Sequence, residues 1–221
     1  MNRSELKRKA RESLKGNYGK CIKLYLLYFL IAFGLSFVIT MFIKIFEDNN
    51  FFALILSLIP SFIIIGLYAG FYSFFLKISR DEEVTCKELF KKNNLFWISI
   101  GVTLVAGIFT LLWSILFIIP GIIVALNYTM VYFVIVDNPN LSVMEALYKS
   151  SEIMLGHRLQ YLILNLSFLV WYILYFIILI LLSLLGLDIL YYFISIAFLL
   201  VIAPYLLVTT ANFYNQIKDE V

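Results

Sequence analysis

CIKLYLLYFLIAFGLSFVITMFIKIF, residues 21–46, holds two lysines and no acid. It is longer than the roughly 20 apolar residues a helix needs to cross a bilayer. Five further apolar runs follow, at 51–76, 95–119, 120–136, 159–185 and 189–214. Read as spans, they sort the charge of the chain. Arg3, Lys7, Arg8, Lys9, Arg11, Lys15, Lys20 and Lys23 precede the first span or open it. Lys77, Arg80, Lys87, Lys91 and Lys92 lie between the second and third, Lys149 and Arg158 between the fourth and fifth, and Lys218 in the tail. All of these fall on one side, and Lys44 alone lies opposite. Lys and Arg are retained on the cytoplasmic side, so the expected topology has six spans with both termini in the cytoplasm.

Composition excludes an ordinary soluble domain. The chain is 63% hydrophobic and 14% charged, against about 45–50% apolar and about 25% charged in soluble chains. The basic excess before the first span suits an anionic leaflet, at about 1 kcal/mol for each basic residue near the surface. Nucleic acid is not an expected partner, because a basic strip beside a span faces lipid. Cys21 and Cys86 both map to cytoplasmic ends of spans, which predicts reduced thiols and no disulfide. The N-terminus reads as a retained anchor and not a cleaved signal, since no small-residue cleavage site follows its apolar run.

Laid over one another, the even-numbered spans match. Residues 60–72 read PSFIIIGLYAGFY and 120–132 read PGIIVALNYTMVY, with Tyr68 and Tyr72 in register with Tyr128 and Tyr132. Residues 204–214, PYLLVTTANFY, match more loosely. Before the second and third odd spans stand helix-start signatures, Thr85-x-x-Glu88 and Ser142-x-x-Glu145, in which hydroxyl and carboxylate satisfy each other's backbone donors. Asn2-x-x-Glu5 is a weaker version, and Gly16 and Gly156 supply stop signals. The expectation is a single integral membrane domain over 1–221. It is built of three parallel repeats (1–80, 81–138, 139–221), each an amphipathic segment followed by a helix hairpin. Outer turns are expected at 47–50, at Pro120-Gly121 and at 186–188. The segment 142–156 is amphipathic and too polar to span, so it should lie at the cytoplasmic interface or pack on the neighbouring spans.

Ionisable groups are scarce within the spans, which argues against proton- or sodium-coupled transport. Lys44 can snorkel outward to Glu47 or Asp48. Neutral polar residues remain: Asn127 and Thr129 in the fourth span, Asn165 and Ser167 in the fifth, and Thr209, Thr210 and Asn212 in the sixth. Such residues form interhelical hydrogen bonds worth about 0.6 kcal/mol each. Alternatively Asn127, Thr129, Asn165, Ser167 and Asn212 line a polar cavity. Gly66 and Gly70 form a GxxxG that suits an internal packing face. Pro60 and Pro204 should kink their runs. No catalytic constellation, phosphate loop or metal-ligand spacing is present, and His157 is the sole histidine. Neither an enzyme nor a cofactor is expected. His157 and Arg158, with Lys91 and Lys92, are candidate contacts for lipid headgroups or an acidic partner.

Several of these residues together carry a family resemblance: Ser4-Glu5-Leu6-Lys7, Leu14-Lys15-Gly16-Asn17-Tyr18, Pro120-Gly121-Ile122-Ile123, Tyr128, Asp137-Asn138-Pro139, 150–156, Leu166-Ser167-Phe168, Trp171, Pro204-Tyr205, Thr209, Ala211 and Phe213-Tyr214. The chain resembles the bacterial integral membrane proteins of domain-of-unknown-function family 975, common in Gram-positive genomes. It is more distantly similar to the membrane domain attached to some glycerophosphodiester phosphodiesterases. The resemblance implies an all-α polytopic fold and supplies no reaction. The functional expectation is a non-enzymatic accessory or small transport-type protein of the bacterial cytoplasmic membrane, engaging lipid or another amphiphile at the cytoplasmic leaflet. The alternative is a scaffold subunit of an exporter, envelope enzyme or bacteriocin-immunity system, with a protein partner in the membrane.

Overall fold

A computed structural model describes residues 3–45, 50–90 and 93–220. Lys91, Lys92, Asn2, Glu47 and Asp48, each invoked above, lie outside the described residues. Among those described there is no strand. The helices are α1 (Arg3–Leu14), α2 (Tyr18–Ile45), α3 (Asn50–Gly66), α4 (Tyr68–Ser79), α5 (Asn93–Leu116), α6 (Ile118–Asn127), α7 (Val131–Asp137), α8 (Val143–Ile153), α9 (Arg158–Leu166), α10 (Leu169–Leu184) and α11 (Asp188–Ile217), with a 3-10 segment at Cys86–Phe90. Six stretches are long and apolar enough to cross a membrane: Tyr18–Lys44, Ala53–Ser79, Asn94–Leu116, Ile118–Asp137, Arg158–Leu184 and Asp188–Ile217. The protein is an all-α, multi-pass membrane protein.

The second span is interrupted at Leu67 between α3 and α4, and the fourth at Tyr128–Met130 between α6 and α7. The sixth runs unbroken through Pro204. The hairpin turn between α5 and α6 falls at Phe117, whose backbone is extended (φ −156°, ψ 137°), and not at Pro120-Gly121. Pro120 sits instead in the first turn of α6, where a missing N–H costs no helical bond. Gly121 serves a crossing: a Cβ there would meet Ser114 Oγ and lie 2.7 Å from Ser114 Cα. The Pro-Gly pair therefore marks the start of the helix and its close approach to α5, and the chain reverses just before it.

Packing is concentrated at the end of the bundle that carries the basic residues. There α4, α7 and the C-terminal third of α11 meet through aromatic rings. Tyr72 stacks on Tyr132 at 4.7 Å, and Phe133 stacks on Tyr214 at 5.3 Å. Phe74, Phe75, Phe133, Phe213 and Tyr214 are fully buried. Offset and edge-on aromatic pairs of this kind add about 0.5–1.5 kcal/mol each beyond area burial. The far halves of the helices differ. They pack mainly within the hairpins α2–α3, α5–α6 and α10–α11, with α3 also meeting α5. They leave rings such as Phe29 (66% exposed) and Phe193 (73%) uncovered. In water so large an apolar surface would drive aggregation; in hydrocarbon it is the ordinary exterior.

The three amphipathic segments dock on the packed end. α1 buries Leu6, Ala10 and Leu14, one helical stripe, against α11 and α4. The 3-10 segment buries Glu88 and Leu89 against α4 and α2. α8 buries Ala146, Leu147, Ser150 and Ile153 against α5 and α7. The Ser142–Glu145 capping box opens α8 as the spacing predicts, the Ser142 N–H donating to Glu145 Oε2 at 2.8 Å. That bond lowers the pKa of the exposed Glu145 carboxyl. Gly16 and Gly156 adopt the left-handed conformation, φ 81° and 84°. Gly66 and Gly70 form an internal packing face: Gly66 abuts the Phe96 ring and Gly70 the carbonyls of Glu88 and Leu89.

Candidate functional site

The packed end contains a charge network centred on Asp137, the last residue of α7. Arg80, just past α4, grips it with both guanidinium forks: Nη1 donates to Oδ1 at 2.8 Å and Nη2 to Oδ2 at 2.6 Å. Lys218 Nζ approaches Oδ2 at 3.4 Å, and the Tyr214 hydroxyl donates to the same oxygen at 3.1 Å. Arg80 Nε donates to Asn215 Oδ1 at 3.0 Å, and Asn215 Nδ2 donates to Ser79 Oγ at 2.9 Å. One carboxylate thus ties together the second, fourth and sixth spans at the packed end of the bundle. Its hydrogen bonds raise the pKa of Arg80 above the ordinary guanidinium value. The planar fork of Arg matches a carboxylate bidentately, which fixes orientation as well as charge. A second ion pair, Lys77 Nζ to the buried Glu88 at 3.1 Å, holds the 3-10 segment on α4.

Beside this network lies an open cavity of about 620 Å³. α1 contributes Leu6, Lys9, Glu12 and Ser13; the end of α4 and its turn contribute Ser79 and Asp81; α11 contributes Asn212, Asn215 and Gln216. α1 is held over it by Lys7, whose ammonium lies 4.1 Å from the Phe168 ring centroid and donates to the Ser167 carbonyl at 3.2 Å. Burial, and then Arg3 and Arg11 nearby, lower the pKa of Lys7. The volume lies within the roughly 300–1,000 Å³ typical of small-molecule sites, and the lining is mostly polar.

The five polar residues singled out in the spans are dispersed among four places. Thr129 and Asn165 meet, with Thr210, around the buried Tyr161 hydroxyl. Asn127 accepts from Ser150 Oγ through its backbone carbonyl at 2.7 Å, while its own Oδ1 is buried without a donor among the described residues. Ser167 turns its hydroxyl back to the Leu164 carbonyl. Asn212 alone of the five lines the 620 Å³ cavity, and its buried Nδ2 has no acceptor among the described residues. Of the charged candidates, His157 Nε2 sits 3.2 Å from Glu220 and its Nδ1 3.3 Å from Gln160 Oε1. Arg158 has a buried Nε with no partner among the described residues.

Sequence reading assigned Arg80 to the topology signal and Asp137 to a family motif, and did not single out Asn215, Asp81 or the lining of α1. No common register marks them: Arg80, Asp137 and Asn215 stand eight, five and one residues past Tyr72, Tyr132 and Tyr214.

The profile of a family described as "Protein of unknown function (DUF975)" matches residues 1–120 and 115–220, which together cover nearly the whole chain. The chain belongs to this family. No curated protein and no solved structure matches it. The family description carries no reaction or ligand, and none of these comparisons shows a likeness to the phosphodiesterase membrane domain.

Proposed function

We propose that this DUF975 protein is a non-enzymatic component of a bacterial cytoplasmic membrane that binds lipid or another amphiphile from the cytoplasmic leaflet. Both termini lie in the cytoplasm on this reading, because the positive-inside bias places the basic end there. The three hairpin units then stand in parallel, with α1, the 3-10 segment and α8 forming a collar at the inner surface. The observation that carries the reading is the polar cavity of about 620 Å³ at the basic end. It lies at the rim of an apolar bundle, where a headgroup can enter while its chains stay in hydrocarbon. The exposed Arg11, Lys15, Lys20 and Lys23 along the α1–α2 elbow would hold anionic lipid around it. His157 and Arg158 belong to the same collar.

Native mass spectrometry of the protein released from mild detergent should show discrete adducts of amphiphile mass. Ser13→Trp places bulk into the cavity from a half-buried position on α1. That variant should lose at least three-quarters of the adducted fraction while retaining its melting temperature. A wild-type protein with no adducts, or adducts that survive the block, contradicts the proposal and leaves the scaffold alternative.

A further inference from the structure

The docked helices of the collar differ in what they leave uncovered. Every exposed side chain of α1 is charged or is Ser4. α8 exposes two surfaces of opposite character. Glu145 and Glu152 are exposed, and so are Met144 (57%), Tyr148 (71%) and, just past the cap, Leu155 (67%). At about 100° per residue, these groups sort onto separate sides of the helix. Met144, Tyr148 and Leu155 form one stripe, and Glu145, Lys149 and Glu152 form the second side. The docked Ala146, Leu147, Ser150 and Ile153 form the third.

Two hydrogen bonds fix how the helix is rolled. Lys149 Nζ donates to Asn138 Oδ1 at 3.2 Å, just past the end of α7 and so at the basic end of the bundle. Ser150 Oγ donates to the Asn127 carbonyl at 2.7 Å, in the middle of the fourth span (Ile118–Asp137). Going round α8 from Lys149 to Ser150 therefore leads from the end of the bundle into the bilayer. A further rotation of about 120° in the same sense reaches the apolar stripe. Glu145 and Glu152 lie on the other side of Lys149, towards water. In sequence the stripe leads on through Leu155 to Leu159, which is exposed at the start of the fifth span.

We infer that α8 inserts the stripe of Met144, Tyr148 and Leu155 into the lipid leaflet at the packed end of the bundle, with Glu145 and Glu152 left in water. Amphipathic helices that lie in this way bury their apolar face about 5–10 Å into the boundary between headgroups and acyl chains. Tyr148 suits that depth, with an apolar ring and a hydroxyl that stays wet. Anionic headgroups would repel the two glutamates, so the contact rests on the apolar stripe and is insensitive to salt. α1, by contrast, offers the same leaflet only charge. The contact made by α8 needs no ligand in the cavity, and it goes beyond the amphiphile reading.

The test places a nitroxide on Tyr148→Cys or, separately, on Glu152→Cys, in the full chain reconstituted into vesicles of phosphatidylethanolamine and phosphatidylglycerol. Cys86→Ser removes the partly buried native thiol, and Cys21 is fully buried. Collisions of the nitroxide with oxygen, which concentrates in hydrocarbon, are compared with those of a water-soluble nickel chelate. The oxygen-to-nickel ratio at position 148 should be at least fivefold that at position 152, at low and at high salt alike. Equal ratios with nickel dominant at both positions would show the stripe facing water, and would overturn the insertion. Low access of both reagents at position 148 would show that a protein surface, such as a second copy of the chain, covers the stripe, and would overturn it equally. Met144→Cys lies on the same stripe and gives the same reading if Tyr148→Cys lowers the melting temperature.

Discussion

Asp137→Ala should be the most damaging single substitution in the charge network, lowering stability by about 2–3 kcal/mol. Removing this carboxylate strands Arg80 and Lys218 beside each other and leaves the Tyr214 hydroxyl without its acceptor. Breaking a fully buried pair costs roughly 3–5 kcal/mol. The Arg80 and Asp137 side chains keep 28% and 20% exposure, which places the cost at the lower end. The partners should matter unequally. Arg80→Ala leaves Asp137 with Lys218 and Tyr214, so it should cost visibly less than Asp137→Ala. Lys218→Ala breaks only the longest contact, and should fall within about 1 kcal/mol, as exposed pairs do. Thermal unfolding of the three variants in detergent tests this order. Equal losses for Asp137→Ala and Lys218→Ala would show that the carboxylate is not the hub.

Gly70→Ala should detach the 3-10 segment from α4. The added Cβ would lie 2.5 Å from the Leu89 carbonyl oxygen and 2.7 Å from that of Glu88. Both obstacles are backbone, so no side chain can swing away. Overpacking of this kind costs about 1–3 kcal/mol, and here the strain falls on a five-residue segment held by the Lys77–Glu88 pair. Cys86 opens that segment and is partly buried, so its alkylation rate in detergent should rise severalfold in the variant. Gly107→Ala is the control. Nothing lies within 4 Å of its Cβ position, and Ala in the interior of α5 should be neutral or stabilising. A Cys86 rate unchanged by Gly70→Ala would contradict the packing described.

What could be read from the sequence follows from which physics is local. The spans were legible because hydrocarbon demands a long apolar run whatever its neighbours do, and all six appear. The α8 cap and the left-handed Gly16 and Gly156 were legible because each depends on a few adjacent residues. The Phe117 turn was missed because Pro120 and Gly121 resemble a turn while serving a helix start and a crossing. The break at Leu67 falls in an apolar run with no polar mark, and at Tyr128–Met130 the polar Asn127 and Thr129 read as interhelical or cavity groups and not as a break. The buried Glu88 carboxylate engages Lys77, a partner that the Thr85-x-x-Glu88 spacing does not suggest. The Asp137 network and the cavity join residues from distant parts of the chain. Only the expected parallel repeat hinted that the basic ends of the spans share a neighbourhood. Asn212 was visible as a polar residue in an apolar run, but its companions in the cavity belong to helices α1 and α4.

The reading as a whole stands on the basic, packed end facing the cytoplasm, and Cys86 reports on it directly. Cys21 is fully buried and should stay silent from either side, which leaves Cys86 as the native probe. Intact cells expressing the protein, and an Asp188→Cys variant exposed at the far end, would be treated with a membrane-impermeant maleimide. The predicted result is labelling at position 188 in intact cells, with Cys86 labelled only after permeabilisation. Labelling of Cys86 from outside would place the cavity, its collar and the Asp137 network on the wrong side of the membrane, and would contradict the account.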